Sequence, residues 1–382
     1  MSKRSTKRAR GFSLLEMVVA TAIGTVVVGA AAQLYVQGVG ATWTVSQRAE
    51  MQQDFRAASN MLTKDLSLAG AGLPQGVPVQ LPTSSTIPVY GCDQSGTCYI
   101  NGGSVKYPQQ SSTPFLYGLL PGYNLGPTIS GQNTDIVTVA YTDPSFYLDC
   151  YNATVASATT VTFALPSTTS TNCTANGATI QNINDSAVGL TPGDLVLFTF
   201  PGPTYAVAEV YGATPTLTTV TFNSGDPLKM NQGSGVSQSL ASEYVASPPA
   251  TSLTTGYAVR LEVITYYLDN TVTPPRLMRQ ISGHSPVPVA ESTVYMKFTY
   301  DLFNSTTNTI ATQCQNPGAS GDVCYSGSSS GLLPNQITKI NIANMAMDSS
   351  VKSGLYGLSK GDQSIDLQTS VSARNLTYVN NY

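Results

Sequence analysis

From residue 12 to residue 47 the chain carries a single charged side chain, Glu16, within a largely apolar run that Arg48 ends. That run exceeds the ~20 residues needed to cross a bilayer as a helix. From Ser46 the pattern becomes amphipathic, with Met51, Phe55, Ala58, Leu62 and Leu66 recurring at helical spacing and Arg48, Glu50, Asp54, Arg56, Lys64 and Asp65 between them. Gly70, Gly72 and Pro74 supply a stop. The pattern predicts a nearly continuous helix from about Phe12 to Ala69, ~85 Å long at 1.5 Å per residue. The Met and Phe stripe on its second half reads as packing against the body of the protein.

Beyond Pro74 the period changes. Short apolar runs separated by Gly, Pro, Ser, Thr and Asn predict strands at Asp135–Tyr141, Thr160–Leu165, Asp194–Phe200, Tyr205–Tyr211, Leu217–Phe222, Tyr257–Leu268, Leu277–Ile281, Val294–Phe303, Ile337–Met347 and Ile365–Arg374. In Val259-Arg260-Leu261-Glu262-Val263 apolar and polar residues alternate, as in a half-buried antiparallel strand. The expected fold class is α+β: a long N-terminal hydrophobic α-helix packed on an antiparallel β-sheet domain. The expected organisation is a basic segment at 1–11, an apolar helix at 12–47, its amphipathic continuation at 48–72, and a β-rich domain at 73–382. Within the last, the Ser/Thr/Gly-rich stretch 73–256 reads as an elaboration or an insertion.

Charge sharpens the N-terminal boundary. Residues 1–11 hold Lys3, Arg4, Lys7, Arg8 and Arg10 and no acid, so their removal from 18 basic residues leaves 13 against 21 acidic ones. An acidic mature chain predicts no bulk affinity for nucleic acid, and no specific nucleic-acid partner is expected. Positive charge before the apolar run predicts an N-terminus in the cytoplasm and a body outside. An export signal with an even number of cysteines suggests disulfides among Cys92, Cys98, Cys150, Cys173, Cys314 and Cys324. Sequential pairing, 92–98, 150–173 and 314–324, is the simplest of fifteen connectivities, with free thiols as the alternative. A zinc site is disfavoured by the lack of a Cys-x2-Cys pair and by the presence of one histidine.

An ordinary secretory signal has a shorter apolar core and a small-residue cleavage site on its far side. Here the sharp boundary is on the near side, at Arg10-Gly11-Phe12, and a carboxylate lies inside the apolar run, where an isolated charge costs ~2.5 kcal/mol or more. Gly11-Phe12-Ser13-Leu14-Leu15-Glu16 resembles the cleavage and N-methylation motif of type IV prepilins. The resemblance implies leader cleavage after Gly11 by prepilin peptidase, N-methylation of Phe12, and an assembly role for Glu16. The helix lacks the proline that often kinks it in major pilins; Gly24, Gly29, Gly38 and Gly40 weaken it instead. Tyr266-Tyr267-Leu268-Asp269 with Leu277-Met278-Arg279, and the ending Arg374-Asn375, are similar to the PilW family of minor pilins and its secretion-system relative GspJ. This likeness covers residues 11–72 and roughly 257–376. It implies a structural and assembly subunit that starts or caps a type IV pilus, with other minor and major pilins as partners, held in the bacterial inner membrane before assembly. A minor pseudopilin of a type II secretion system, or a pilus-tip adhesin or DNA-binding module, are the alternatives.

Catalytic chemistry is not expected, nor a cofactor or a metal. The only histidine, His284, sits in a loop-like Ser282-Gly283-His284-Ser285-Pro286 with no Gly-x-Ser-x-Gly elbow. Gly70-Ala71-Gly72 lacks the strand and third glycine of a dinucleotide loop, and the scattered Asp143, Asp149, Asp226 and Asp362 lack EF-hand spacing.

Overall fold

The computed structural model describes residues 11–74, 79–82, 89–101, 105–106, 114–143, 145–165, 180–200, 204–246, 257–304, 308–317, 324, 334–348 and 364–377. The chain divides into two compact units, residues 1–53 with 349–363 and residues 54–348 with 364–382. One 54-residue helix, Leu14–Ser67, runs through the boundary.

In the first unit the helix is uncovered. Leu14, Val26, Leu34, Tyr35 and Trp43 are all more than 60% exposed, so among the described residues nothing covers this apolar surface. The helix runs unbroken through Gly24, Gly29, Gly38 and Gly40, although each glycine costs roughly 1 kcal/mol relative to alanine. Thr21 donates to the carbonyls of Met17 and Val18, Thr25 to that of Ala22 and Thr42 to that of Gly38. These hydroxyls thus need no water.

In the second unit the amphipathic stripe is buried, with Phe55, Ala58, Leu62, Leu66 and Ala69 covered. The chain turns back through Gly70 and Gly72, at φ +78° and +72°, a region that disfavours side chains. The Gly70 N–H donates to the Ala140 carbonyl, and the Ala140 N–H to that of Gly118, each at 2.9 Å. A Cβ on Gly118 would stand 2.6 Å from the Gly70 Cα, so only glycine permits this approach.

Among the described residues the main sheet has seven antiparallel strands, and its hub is the 13-residue strand Tyr257–Asp269. Leu261 pairs with both Leu195 and Thr142, while Ile264 to Tyr266 pair with both 279–281 and 137–139. Leu195–Phe200 and Arg276–Ile281 therefore share one edge of the hub, and Ile136–Thr142 takes the other. Thr204–Glu209, Val287–Glu291 and Leu119–Gly122 extend the sheet outwards. Strands from the 73–256 stretch and from beyond it thus form one sheet.

The expectation of half-buried strands fails at the centre. Leu195 and Leu197 enter one core with Leu261, Val263 and Val207, whereas Val196, Phe198 and Phe200 enter another with Ala206, Ala208 and Phe163. Both faces of this antiparallel sheet are covered, so its central strands read as continuous apolar runs, as buried parallel strands usually do.

A second, four-stranded sheet is ordered Thr309–Cys314, Thr293–Asn304, Ile337–Asp348, Ser364–Ser372. A three-stranded sheet joins Thr219–Thr221, Thr160–Ala164 and Asn152–Ser157. The last expected strand stops at Ser372, and Arg374–Thr377 is a helical turn. There the Asn375 amide donates to the Ser67 carbonyl at 3.4 Å, meeting a carbonyl that the long helix leaves open at its C-terminus.

Candidate functional site: the N-terminal junction and its helix

The helix starts two residues after the position expected from periodicity, and Ser13 explains why. The Leu15 N–H donates to Ser13 Oγ at 3.3 Å, and the Ser13 N–H donates to Glu16 Oε2 at 2.9 Å. Ser13-Leu14-Leu15-Glu16 is therefore a reciprocal capping box. The spacing Ser-x-x-Glu ahead of an apolar run is itself a helix-start signal in the sequence. Its negative charge also lies in the first turn, where the helix dipole favours it.

Gly11 and Phe12 lie outside the helix, and Phe12 is 91% exposed. The Gly11–Phe12 bond is thus accessible in non-helical backbone. A Cβ on Gly11 would meet nothing within 4 Å, and its φ lies outside the region that favours glycine. The fold of this chain does not require glycine at that position. Any requirement for it arises in whatever recognises the junction.

Residues 6–32 match the family model of the prokaryotic N-terminal methylation motif. The N-terminus is that of a type IV prepilin-like protein. The prepilin motif implies processing by prepilin peptidase and assembly with other pilins, and with an apolar helix of this length it fits a single-pass inner-membrane protein. The match ends within the N-terminal helix, which continues to Ser67, and leaves the β-domain unassigned. No curated protein and no solved structure gives a significant match.

Within the β-domain of this prepilin-like chain, Cys92 is bonded to Cys98 and Cys314 to Cys324. Cys150 is also disulfide-bonded, and Cys173 lies outside the described residues. His284 Nε2 lies 2.8 Å from Asp194 Oδ1, and that hydrogen bond raises the imidazole above its ordinary value against the opposing effect of burial. Among the described residues no group of three or more His, Cys, Asp and Glu side chains is placed to hold a metal.

Two buried clusters escaped sequence reasoning. Asp65, 3% exposed, accepts from the Tyr266 hydroxyl at 2.7 Å and from Arg279 Nε at 2.8 Å, pinning the end of the helix to the hub strand and its neighbour. Burial, with the Asp65 charge, pushes the Tyr266 phenol well above its usual range. Glu209 is fully buried and bonded to the Asp226 carboxyl; it accepts from the Leu228 N–H at 3.2 Å and from the Gln94 amide. Asp226 accepts from the N–H groups of Met230 and Asn231 at 2.6 and 3.0 Å. Burial raises both carboxyls, and the Asp226 charge raises Glu209 further, so the folded protein favours a protonated form of the pair.

Proposed function

We propose that this chain is a minor pilin of the PilW type, a structural and assembly subunit that initiates or caps a type IV pilus. The observation that carries the reading is the accessible Gly11–Phe12 junction leading into an uncovered apolar stretch of helix, to residue 47, whose one carboxylate lies in the first turn. Exposed apolar surface on this scale calls for lipid or neighbouring helices. A filament of such helices offers the second environment after the membrane has offered the first.

The β-domain supports a minor rather than a major role. It spans most of a 382-residue chain, and a body of that bulk repeated at every helical position would crowd its neighbours. The reading assigns the chain no enzymatic turnover. It assigns prepilin peptidase and other minor and major pilins as partners, with the N-terminus on the cytoplasmic side.

The test is N-terminal mass spectrometry of the protein from membrane and sheared-pilus fractions, with copy number measured against the major subunit. The expected result is a mature chain beginning at N-methylated Phe12, present in pili at low stoichiometry. An intact leader in assembled pili, or an abundance equal to the major subunit, would overturn the assignment.

A further inference from the structure

The four-stranded sheet has a polar outer face. In Thr293–Asn304 the residues Met296, Phe298, Tyr300 and Leu302 turn inwards and are buried, so alternation sends Tyr295, Lys297 and Thr299 to the other side. The sheet is interrupted on this face by a bulge in Ile337–Asp348. Its pairing with Thr293–Asn304 steps from Lys297–Asn344 to Phe298–Ile342, and that with Ser364–Ser372 from Ile342–Thr369 to Met345–Leu367. Ala343 is the extra residue on the first side. On the second, Ala343 and Asn344 together oppose Gln368. Bulges recur beside functional sites because they re-aim a side chain.

The bulge floors a groove of about 600 Å³, whose other wall comes from residues 123–133. That wall includes the paired strands Thr128–Ile129 and Gln132–Asn133 and three residues in the left-handed region, Asn124 at φ 56°, Ser130 at 51° and Gly131 at 81°. It is fixed to the sheet by Lys297, which donates to Asp135 Oδ1 at 2.7 Å and to the Asn124 amide oxygen and lies 4.8 Å from the centre of the Tyr123 ring.

The lining chemistry is polar and nearly uncharged. Asn and Gln predominate, Tyr123 and Tyr295 supply rings, and among the described lining residues Lys297, already paired with Asp135, is the only one with a full charge. Asn344 lines the groove through its accessible atoms, while its Oδ1 is buried away from it without a hydrogen-bond partner. Thr128 Oγ1 bonds Asn133 Oδ1 at 2.6 Å, setting the orientation of that amide.

We propose that this groove binds a neutral oligosaccharide, held by the Asn and Gln amides against the Tyr rings. A side-chain amide offers a donor and an acceptor side by side, matching hydroxyls that do both. Tyrosine adds a flat apolar face with a polar tip. The volume lies in the ordinary range for ligand sites, about 300–1,000 Å³. A polyanion would find no net positive charge here. An added peptide strand would need an open backbone edge, and the groove is lined instead by the side chains of a sheet face. The proposal does not depend on the chain being a minor pilin.

The experiment uses the full mature chain in a detergent without a sugar headgroup, screened against an immobilised panel of neutral di- and trisaccharides built from glucose, galactose, mannose and N-acetylglucosamine. Titration calorimetry follows on the positives. Gln368→Ala and Tyr295→Ala test the site, with thermal unfolding as the check on folding; Gln368 is exposed, so its truncation spares the core. The expected result is saturable binding that each substitution weakens at least about tenfold, a loss typical of one good contact. No binding to any saccharide of the panel, or binding that both variants retain undiminished, overturns the proposal. So does displacement of the saccharide by a peptide or a polyanion but by no second sugar.

Discussion

Glu209 sits with no exposed surface beside Asp226, and burial followed by the Asp226 charge pushes its carboxyl up to about 9 from an ordinary 4.5. A folded-state value above the unfolded one means that the native chain holds a proton which the unfolded chain has released. The stability this group contributes is fully present below about 4.5 and is lost as the pH rises towards about 9. Asp226 is raised too, by burial, and adds in the same direction. His284, raised by its bond to Asp194, also loses its contribution as the pH rises, from its ordinary 6.5 upwards. The unfolding midpoint of the detergent-solubilised protein should therefore fall steadily across this window. Glu209→Gln keeps the shape of the side chain but cannot ionise, so its midpoint should fall much less over the same range. Parallel curves for the two proteins would show that the carboxyl pair is not the source.

At the scale of elements, the helix end is tied to the sheet through Asp65, Tyr266 and Arg279. Asp65→Leu strands the Arg279 guanidinium and the Tyr266 hydroxyl without their acceptor. Breaking a buried ion pair from one side costs about 3–5 kcal/mol; the Arg279 side chain is 20% exposed, so a loss of about 2–4 kcal/mol is expected here. Asp65→Leu with Arg279→Met should recover most of it, because the uncompensated charge goes with its partner. Denaturant titration of both variants checks this, and a double variant as weak as the single one would count against it.

This junction also marks how far the sequence could be read. The helix, its amphipathic stripe and its stop at Gly70 lie in local patterns, and most of the expected strands appear within a few residues of their expected ends. Asp65 looked like one more polar position on that helix, because its partners stand 201 and 214 residues away and only the folded sheet brings them near. The covering of both faces of the main sheet was missed for a different reason. Leu195-Val196-Leu197-Phe198 carries the unbroken apolar run of a doubly buried strand, but such runs suggest a parallel sheet, and here the strands are antiparallel. At the N-terminal site Gly11, Phe12 and Glu16 were legible because the motif is contiguous. Glu209 gave no signal at all: one acid at a strand end, paired only through tertiary structure.

For the whole molecule, the question is how Glu16 acts in a chain whose helix leaves its apolar surface uncovered. In this structure its carboxylate accepts from the Ser13 N–H, closing the capping box. Cleavage after Gly11 would create an α-amine at Phe12, one residue before Ser13, and methylation leaves that amine able to carry charge. Two roles follow, a cap on its own helix and a counter-charge for the amine of a neighbouring subunit, where each charge would offset a cost that the apolar surroundings impose on the other. The two roles separate by chemistry. Glutamine serves at the third position of a capping box as well as glutamate does, but it carries no charge. Glu16→Gln should therefore keep the helix start, insert into the membrane and be processed like the unmodified chain, yet enter the sheared-pilus fraction poorly. Glu16→Ala, which loses both roles, should do no better. Immunoblots of processed protein in membrane and pilus fractions, with pili counted in parallel, give the comparison. Normal incorporation of Glu16→Gln alongside failure of Glu16→Ala would assign the residue to the cap and remove the charge from the account of assembly.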